Sequence, residues 1–144
     1  MGSVADIPFN RHLDIGYDEE TGHLRLPDVP AMRNHFGTVS FCAQFALAEA
    51  ASAQYLFDRL GMNLSTDLPT LRNASIRFTR PTTGESSCEL LSMQHTPEEF
   101  QSTLDTKGKI LTTVTVAVIA ENSVKALEGA FIWLILRAKN RAGK

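Results

Sequence analysis

The chain has 144 residues, 43% hydrophobic and 21% charged, with a formal net charge of -2. That length suits one globular domain spanning residues 1–144, and the near-neutral charge excludes a general pull toward nucleic acid or anionic membrane. Cys42 and Cys88 form no CxxC pair, the N-terminus lacks the pattern of a signal peptide, and no apolar run reaches the about 20 residues of a bilayer span, so the expected location is cytoplasmic.

In chain order, Leu13 to Tyr17 and His23 to Leu26 flank Asp18-Glu19-Glu20-Thr21-Gly22, a polar, glycine-ended connection that predicts a short hairpin. Pro27 and Pro30 then interrupt regular structure, and residues 31–39 read as a loop. Ser40 can cap the helix that follows, and Gly61 supplies its stop, which predicts a helix near residues 40–60. Between Phe41 and Phe57 that helix carries six alanines and a single formal charge, Glu49. Apolar on nearly all sides, it belongs in the interior with other backbone wrapped closely around it.

The remaining chain supplies the wrapping. Ala74, Ile76 and Phe78 alternate with Ser75, Arg77 and Thr79, the period-2 pattern of a strand with one buried face. Residues Ser86 to His95, Ile110 to Ala120 and Ala126 to Leu136 are further strands, with a turn at Glu121-Asn122-Ser123. Pro97 to Leu104 reads equally as a helical turn or an irregular connection. Arg137, Lys139, Arg141 and Lys144 read as a solvated basic tail. The fold class expected is α+β: a hairpin, one long buried helix, then an antiparallel meander of about four strands, which is the hotdog arrangement. Such a sheet has an edge to cover, and pairing two sheets in a homodimer would cover it.

A lone carboxylate in an apolar helix needs an explanation. Burying an unpaired charge is costly enough that such groups shift their pKa, find partners or face a cleft, and they cluster at functional sites. Glu49 is therefore the first candidate for chemistry, beside the plainer reading of a carboxylate tied to backbone donors or an arginine. Free N–H groups at the helix start, near Phe41 to Ala43, could polarise a carbonyl. Cys42 lies near the same helix end, which can activate a thiol, yet no histidine stands in a Cys-His pattern with it. His12, His23, His35 and His95 show no metal-ligand spacing, so no metal site is expected.

Asn34-His35-Phe36-Gly37-Thr38, followed by Leu47-Ala48-Glu49-Ala50, resembles the pattern of hotdog-fold acyl-CoA thioesterases of the phenylacetate-pathway type: Asn, Gly three later, and an acid fifteen after the Asn. A second stretch, Ile76-Arg77-Phe78-Thr79-Arg80-Pro81 with Gly84-Glu85, is similar to the Arg-Pro strand end that follows the helix in that family. The chain departs from it at Ser40-Phe41-Cys42, where many members carry His-Gly-Gly, and in having Glu where the best-studied relatives have Asp.

The resemblance implies hydrolysis of an acyl-CoA thioester, with Glu49 as general base or nucleophile and Asn34 placing the water or the thioester. Gly37, Ser40, Phe41, Cys42 and Arg80 would then contact substrate, Arg80 meeting the phosphates of coenzyme A. Coenzyme A would be part of the substrate, and no separate cofactor is implied. The assembly implied is a homodimer, or a dimer of dimers, in which Glu49 faces the Asn34 loop of the other chain.

Plainer readings stand beside these roles. Asn34 is equally a loop-closing residue, Gly37 a carrier of an unusual backbone angle, and Arg80 a solvated side chain. Two rival functions also stand. One is a hydroxyacyl dehydratase using His35 and Glu49, disfavoured because Gly37 directly follows Phe36 with no intervening proline. The other is a non-catalytic acyl-CoA binding module.

Overall fold

A computed structural model describes residues 3–138. Its centre is helix α2, Phe41–Leu60. The Ser40 hydroxyl accepts the Cys42 N–H at 3.2 Å, and Gly61, in the left-handed region at φ 74°, closes the other end. A residue with a Cβ resists that conformation, which is why glycine makes the stop. Thirteen of its twenty residues are buried, so the helix is core on nearly every face. Its alanines keep that core thin enough for a sheet to curl around it.

The sheet has six strands: β1 Gly16–Asp18, β2 His23–Leu26, β3 Asp67–Phe78, β4 Ser86–Met93, β5 Lys109–Ile119 and β6 Lys125–Arg137. Every pairing is antiparallel, in the order β1-β2-β4-β5-β6-β3. The α+β hotdog architecture is thus as expected, but the connectivity is not a meander. After α2 the chain lays β3 against β6 at one edge and then crosses to place β4 between β2 and β5. Strand β3 also begins at Asp67, well before its alternating stretch. Asp67-Leu68-Pro69 does not read as a core strand, and an edge strand tolerates the proline because one side needs no donor.

Val114, Val116 and Val118 of β5 and Leu127, Phe131 and Ile135 of β6 face inward against Leu47 and Leu56 of α2. The connection left open by sequence is a full helix, α3, Pro97–Lys107, with the Thr96 hydroxyl accepting the Glu99 N–H and with Phe100 and Leu104 buried one turn apart. Two apolar anchors in eleven residues gave too little periodicity to identify it. At the N-terminus a 3-10 turn, Val4–Asp6, leads into a short helix α1, Pro8–His12. Gln54 of α2 holds this segment, its carbonyl oxygen accepting the Val4 N–H at 2.9 Å and the Ser3 hydroxyl at 3.1 Å.

The reading of Arg137 as part of a solvated tail is corrected. Its guanidinium donates to both Asp67 carboxylate oxygens at 2.7 and 3.0 Å, to Asp105 at 2.8 Å and to Gln101 at 3.0 Å. It joins the start of β3, the end of β6 and α3. Lys139, Arg141 and Lys144 lie outside the described residues.

Candidate functional site

The open part of α2 is a stripe along its first half. Phe41 and Cys42 are exposed, and Phe45 and Glu49 are half-buried, while the residues around them are core. Phe41, Phe45 and Glu49 are successive i, i+4 neighbours and so share one face. Phe41 stacks on Phe78 at the end of β3, with ring centroids 4.4 Å apart, and Phe45 tilts against Phe131 at 5.7 Å. Aromatic rings therefore line the approach to the acid.

Burial pushes the Glu49 carboxyl above the ordinary carboxylate range, and nearby charge plays no part in that shift. Among the described residues no hydrogen bond or ion pair reaches its carboxylate oxygens. A half-buried acid with no internal partner is free to act on a proton, because its raised pKa brings its basicity closer to neutral pH.

At the start of α2 the helix donors are partly used. Ser40 takes the Cys42 N–H through its hydroxyl, and its own N–H donates to the Met32 carbonyl at 2.7 Å. The Phe41 N–H finds no acceptor among the described residues. It remains available to a ligand oxygen at the positive end of the helix.

Asn34 builds the loop before the helix. Its carboxamide oxygen accepts the Phe36 N–H at 2.9 Å and the Thr38 N–H at 3.2 Å, and its amide donates to the Thr38 hydroxyl at 2.8 Å. Gly37, at φ 79°, completes the turn, its N–H donating to the Asn34 carbonyl at 3.1 Å. His35 and Phe36 are thrown outward at the tip, their rings tilted against each other, with Phe36 78% exposed. Among the described residues no hydrogen bond connects this loop to Glu49.

Arg80 follows β3 and is exposed, lining a cleft of about 250 Å³ with Thr38, Thr82, Thr83, Glu121 and Asn122. Glu49 is not part of that cleft. The structure thus places Ser40, Phe41, Cys42 and Glu49 along one helix face and sets Arg80 and the Asn34 loop apart from it.

Sequence reasoning passed over two buried polar residues of α2. Gln44, fully buried, donates to the Thr82 hydroxyl at 3.0 Å and leaves its carbonyl oxygen unpartnered. Ser52, also fully buried, donates to the Glu49 carbonyl at 2.7 Å and accepts the Trp133 indole N–H at 2.9 Å. Polar residues on the covered faces of an apolar helix were the available signal. Among the described residues no group of three His, Cys, Asp or Glu side chains could hold a metal ion.

No protein-family model and no curated protein matches the chain. Solved structures do. A Pseudomonas aeruginosa protein of unknown function, designated a probable thioesterase, superposes with a TM-score of 0.75 at 19% identity, over 93% of this chain and 91% of that one. A Bacillus halodurans protein crystallised with CoA gives 0.67 at 14% identity, over 93% and 86%. A Staphylococcus aureus thioesterase gives 0.65 at 11% identity, over 89% and 98%. At such identities the likeness shows a shared fold, and that fold is the hotdog.

Proposed function

We propose that this protein is a thioesterase acting on an acyl-CoA, with Glu49 as general base or nucleophile. The observation that carries the reading is the half-buried Glu49 carboxylate, raised in pKa and unpartnered, on the open stripe of α2 that also presents the free Phe41 N–H. Thioester hydrolysis needs those two elements: a base or nucleophile for the carbonyl carbon, and a donor for the oxyanion that develops on its oxygen.

The fold neighbours support it. One was solved with CoA, and the Staphylococcus aureus thioesterase was crystallised with a glutamine replaced and, separately, with a glutamate fifteen positions later replaced. Asn34 and Glu49 stand at the same separation, the one that carries the resemblance to phenylacetate-type thioesterases. Asn34 acts here through the loop it closes, whose backbone and tip would border the thioester. Ser40, Phe41 and Cys42 border the acyl group, and Arg80 meets the phosphates of coenzyme A.

Two copies complete the site. Among the described residues the twelve-residue strand β3 pairs with β6 alone and leaves its outer edge open. Joining two such edges satisfies that backbone and carries the Asn34 loop of one protomer toward Glu49 of its partner. The test is thiol release from short, medium, long and aryl acyl-CoAs by wild type, Glu49→Gln and His35→Ala. Turnover lost only in Glu49→Gln is the expected result. No thiol release from any substrate would sink the reading and favour hydroxyacyl-CoA dehydration or acyl-CoA binding alone, and loss of thiol release in both variants would bring His35 into the hydrolytic site.

A further inference from the structure

Among the described residues nothing hydrogen-bonds the Glu49 carboxylate, so its position is set by its backbone and by packing. Outside the helical ladder, the Glu49 carbonyl accepts the Ser52 hydroxyl at 2.7 Å. That hydroxyl in turn accepts the indole N–H of Trp133 at 2.9 Å. Ser52 is fully buried and Trp133 is 5% exposed, so neither group has water as an alternative partner.

Trp133 is a firm anchor. It lies in β6 between two paired strands, opposite Thr112 of β5 and Leu71 of β3. The register of β3 slips between Leu71 and Asn73, against the step from Trp133 to Ile132. Such a bulge sharpens the local twist and re-aims a side chain. A serine hydroxyl bonded back to the carbonyl three residues earlier also bends a helix locally. The bulge lies opposite Trp133, and the back-bonded Ser52 lies in the turn of α2 that follows Glu49.

We propose that Ser52 and Trp133 are positioning residues for Glu49, an indole–hydroxyl–carbonyl link that fixes this turn of α2 against β6. The inference rests on Glu49 being the acid of the proposed thioesterase. A displacement of about 1 Å at a catalytic group can cost on the order of a hundredfold in rate, so a link of this kind acts on turnover more than on binding.

The test compares wild type with Ser52→Ala, Trp133→Phe and the double variant. Trp133→Phe removes the donor while keeping most of the ring volume, which limits the cavity it leaves and guards against a variant that fails to fold. Two readouts are taken: kcat and KM for thiol release, and the titration midpoint of the Glu49 carboxyl followed by carbon NMR. Expected is a fall in kcat of roughly tenfold in each single variant with KM little changed, a double variant no worse than the worse single one, and a Glu49 midpoint moved from its wild-type value.

An unmoved midpoint overturns the inference, even if melting temperature falls, because the pair would then be structural only. So do unchanged kcat and losses that multiply in the double variant. If wild type releases no thiol, the proposed function fails, and the Glu49 midpoint still decides whether the link holds the acid.

Discussion

Phe41, the first residue of α2, stacks on Phe78, the last residue of β3, at 4.4 Å between centroids and 26° between planes. Each ring is 41% exposed, so the pair is a surface rather than core. Phe41 sits on the same helix face as Glu49. Its ring adds bulk at that end of the helix.

Under the proposed function, the pair would set which acyl groups enter. Phe41→Ala is expected to raise kcat/KM for longer acyl chains relative to short ones, while stability falls by about 1 kcal/mol or less, the scale of an aromatic pair beyond its buried area. Measuring kcat/KM across a chain-length series checks this. An unchanged profile would remove Phe41 from the pocket.

The raised pKa of Glu49 has a consequence for stability. Its folded-state pKa lies above the ordinary 4.5, so the native state holds the proton more tightly than the unfolded chain does. Stability attached to this group is fully present below pH 4.5 and is lost as pH rises through the folded pKa. Glu49→Gln, which stays neutral, should melt higher than wild type at about pH 7 and lose that advantage in acid. In the wild-type enzyme the acid limb of kcat/KM should lie above the ordinary carboxylate range. Equal melting of the two proteins at neutral pH would show that Glu49 is solvated in the folded state.

Arg137 supports a different prediction. The Asp67 side chain is fully covered, and Arg137 meets it with two hydrogen bonds. Burial pushes the Asp67 carboxyl up, but bonds from Arg137, the Asn63 N–H and the Thr66 hydroxyl outweigh it and hold the group below its ordinary value. Arg137→Ala leaves that charge buried without its counter-ion, at a cost of about 3 kcal/mol. Arg137→Lys should recover little, because a single ammonium cannot reproduce the fork. With a lowered folded pKa, the Asp67 contribution is present above the unfolded value and is lost as pH falls through the folded one. Urea titration of the variants at neutral and acid pH tests both statements, and a gap that stayed constant into acid would contradict the second.

The central helix was legible because each of its signals was local: the Ser40 cap, the Gly61 stop and the alanine-rich run between them. Glu49 was legible as the one charge in that run. What sequence could not show was long-range. The placement of β3 beside β6 depends on which edge the chain reaches after α2, and nothing in Asp67 to Phe78 encodes that choice. The Arg137 fork joins residues 70 and 32 positions apart in the chain, and the Ser52–Trp133 bond spans 81. Asn34 was visible as a polar loop residue, but whether its carboxamide faced a ligand or its own backbone was a question of φ and ψ.

That last point can be decided by chemistry. In the structure the Asn34 carboxamide oxygen holds the Phe36 and Thr38 N–H groups, and its amide group reaches only the Thr38 hydroxyl. Asn34→Asp keeps the oxygen that closes the loop, whereas Asn34→Ala removes it. If Asn34 works by shaping the loop, Asn34→Asp retains most of the wild-type kcat/KM and Asn34→Ala loses on the order of tenfold or more, as expected when loop geometry places a substrate. If the amide itself donates to water or to the thioester, the aspartate variant fails as badly as the alanine one, since a carboxylate has no N–H to give and repels a developing oxyanion. Equal loss in the two variants therefore assigns Asn34 a direct contact with substrate, and a preserved aspartate variant assigns it to the loop.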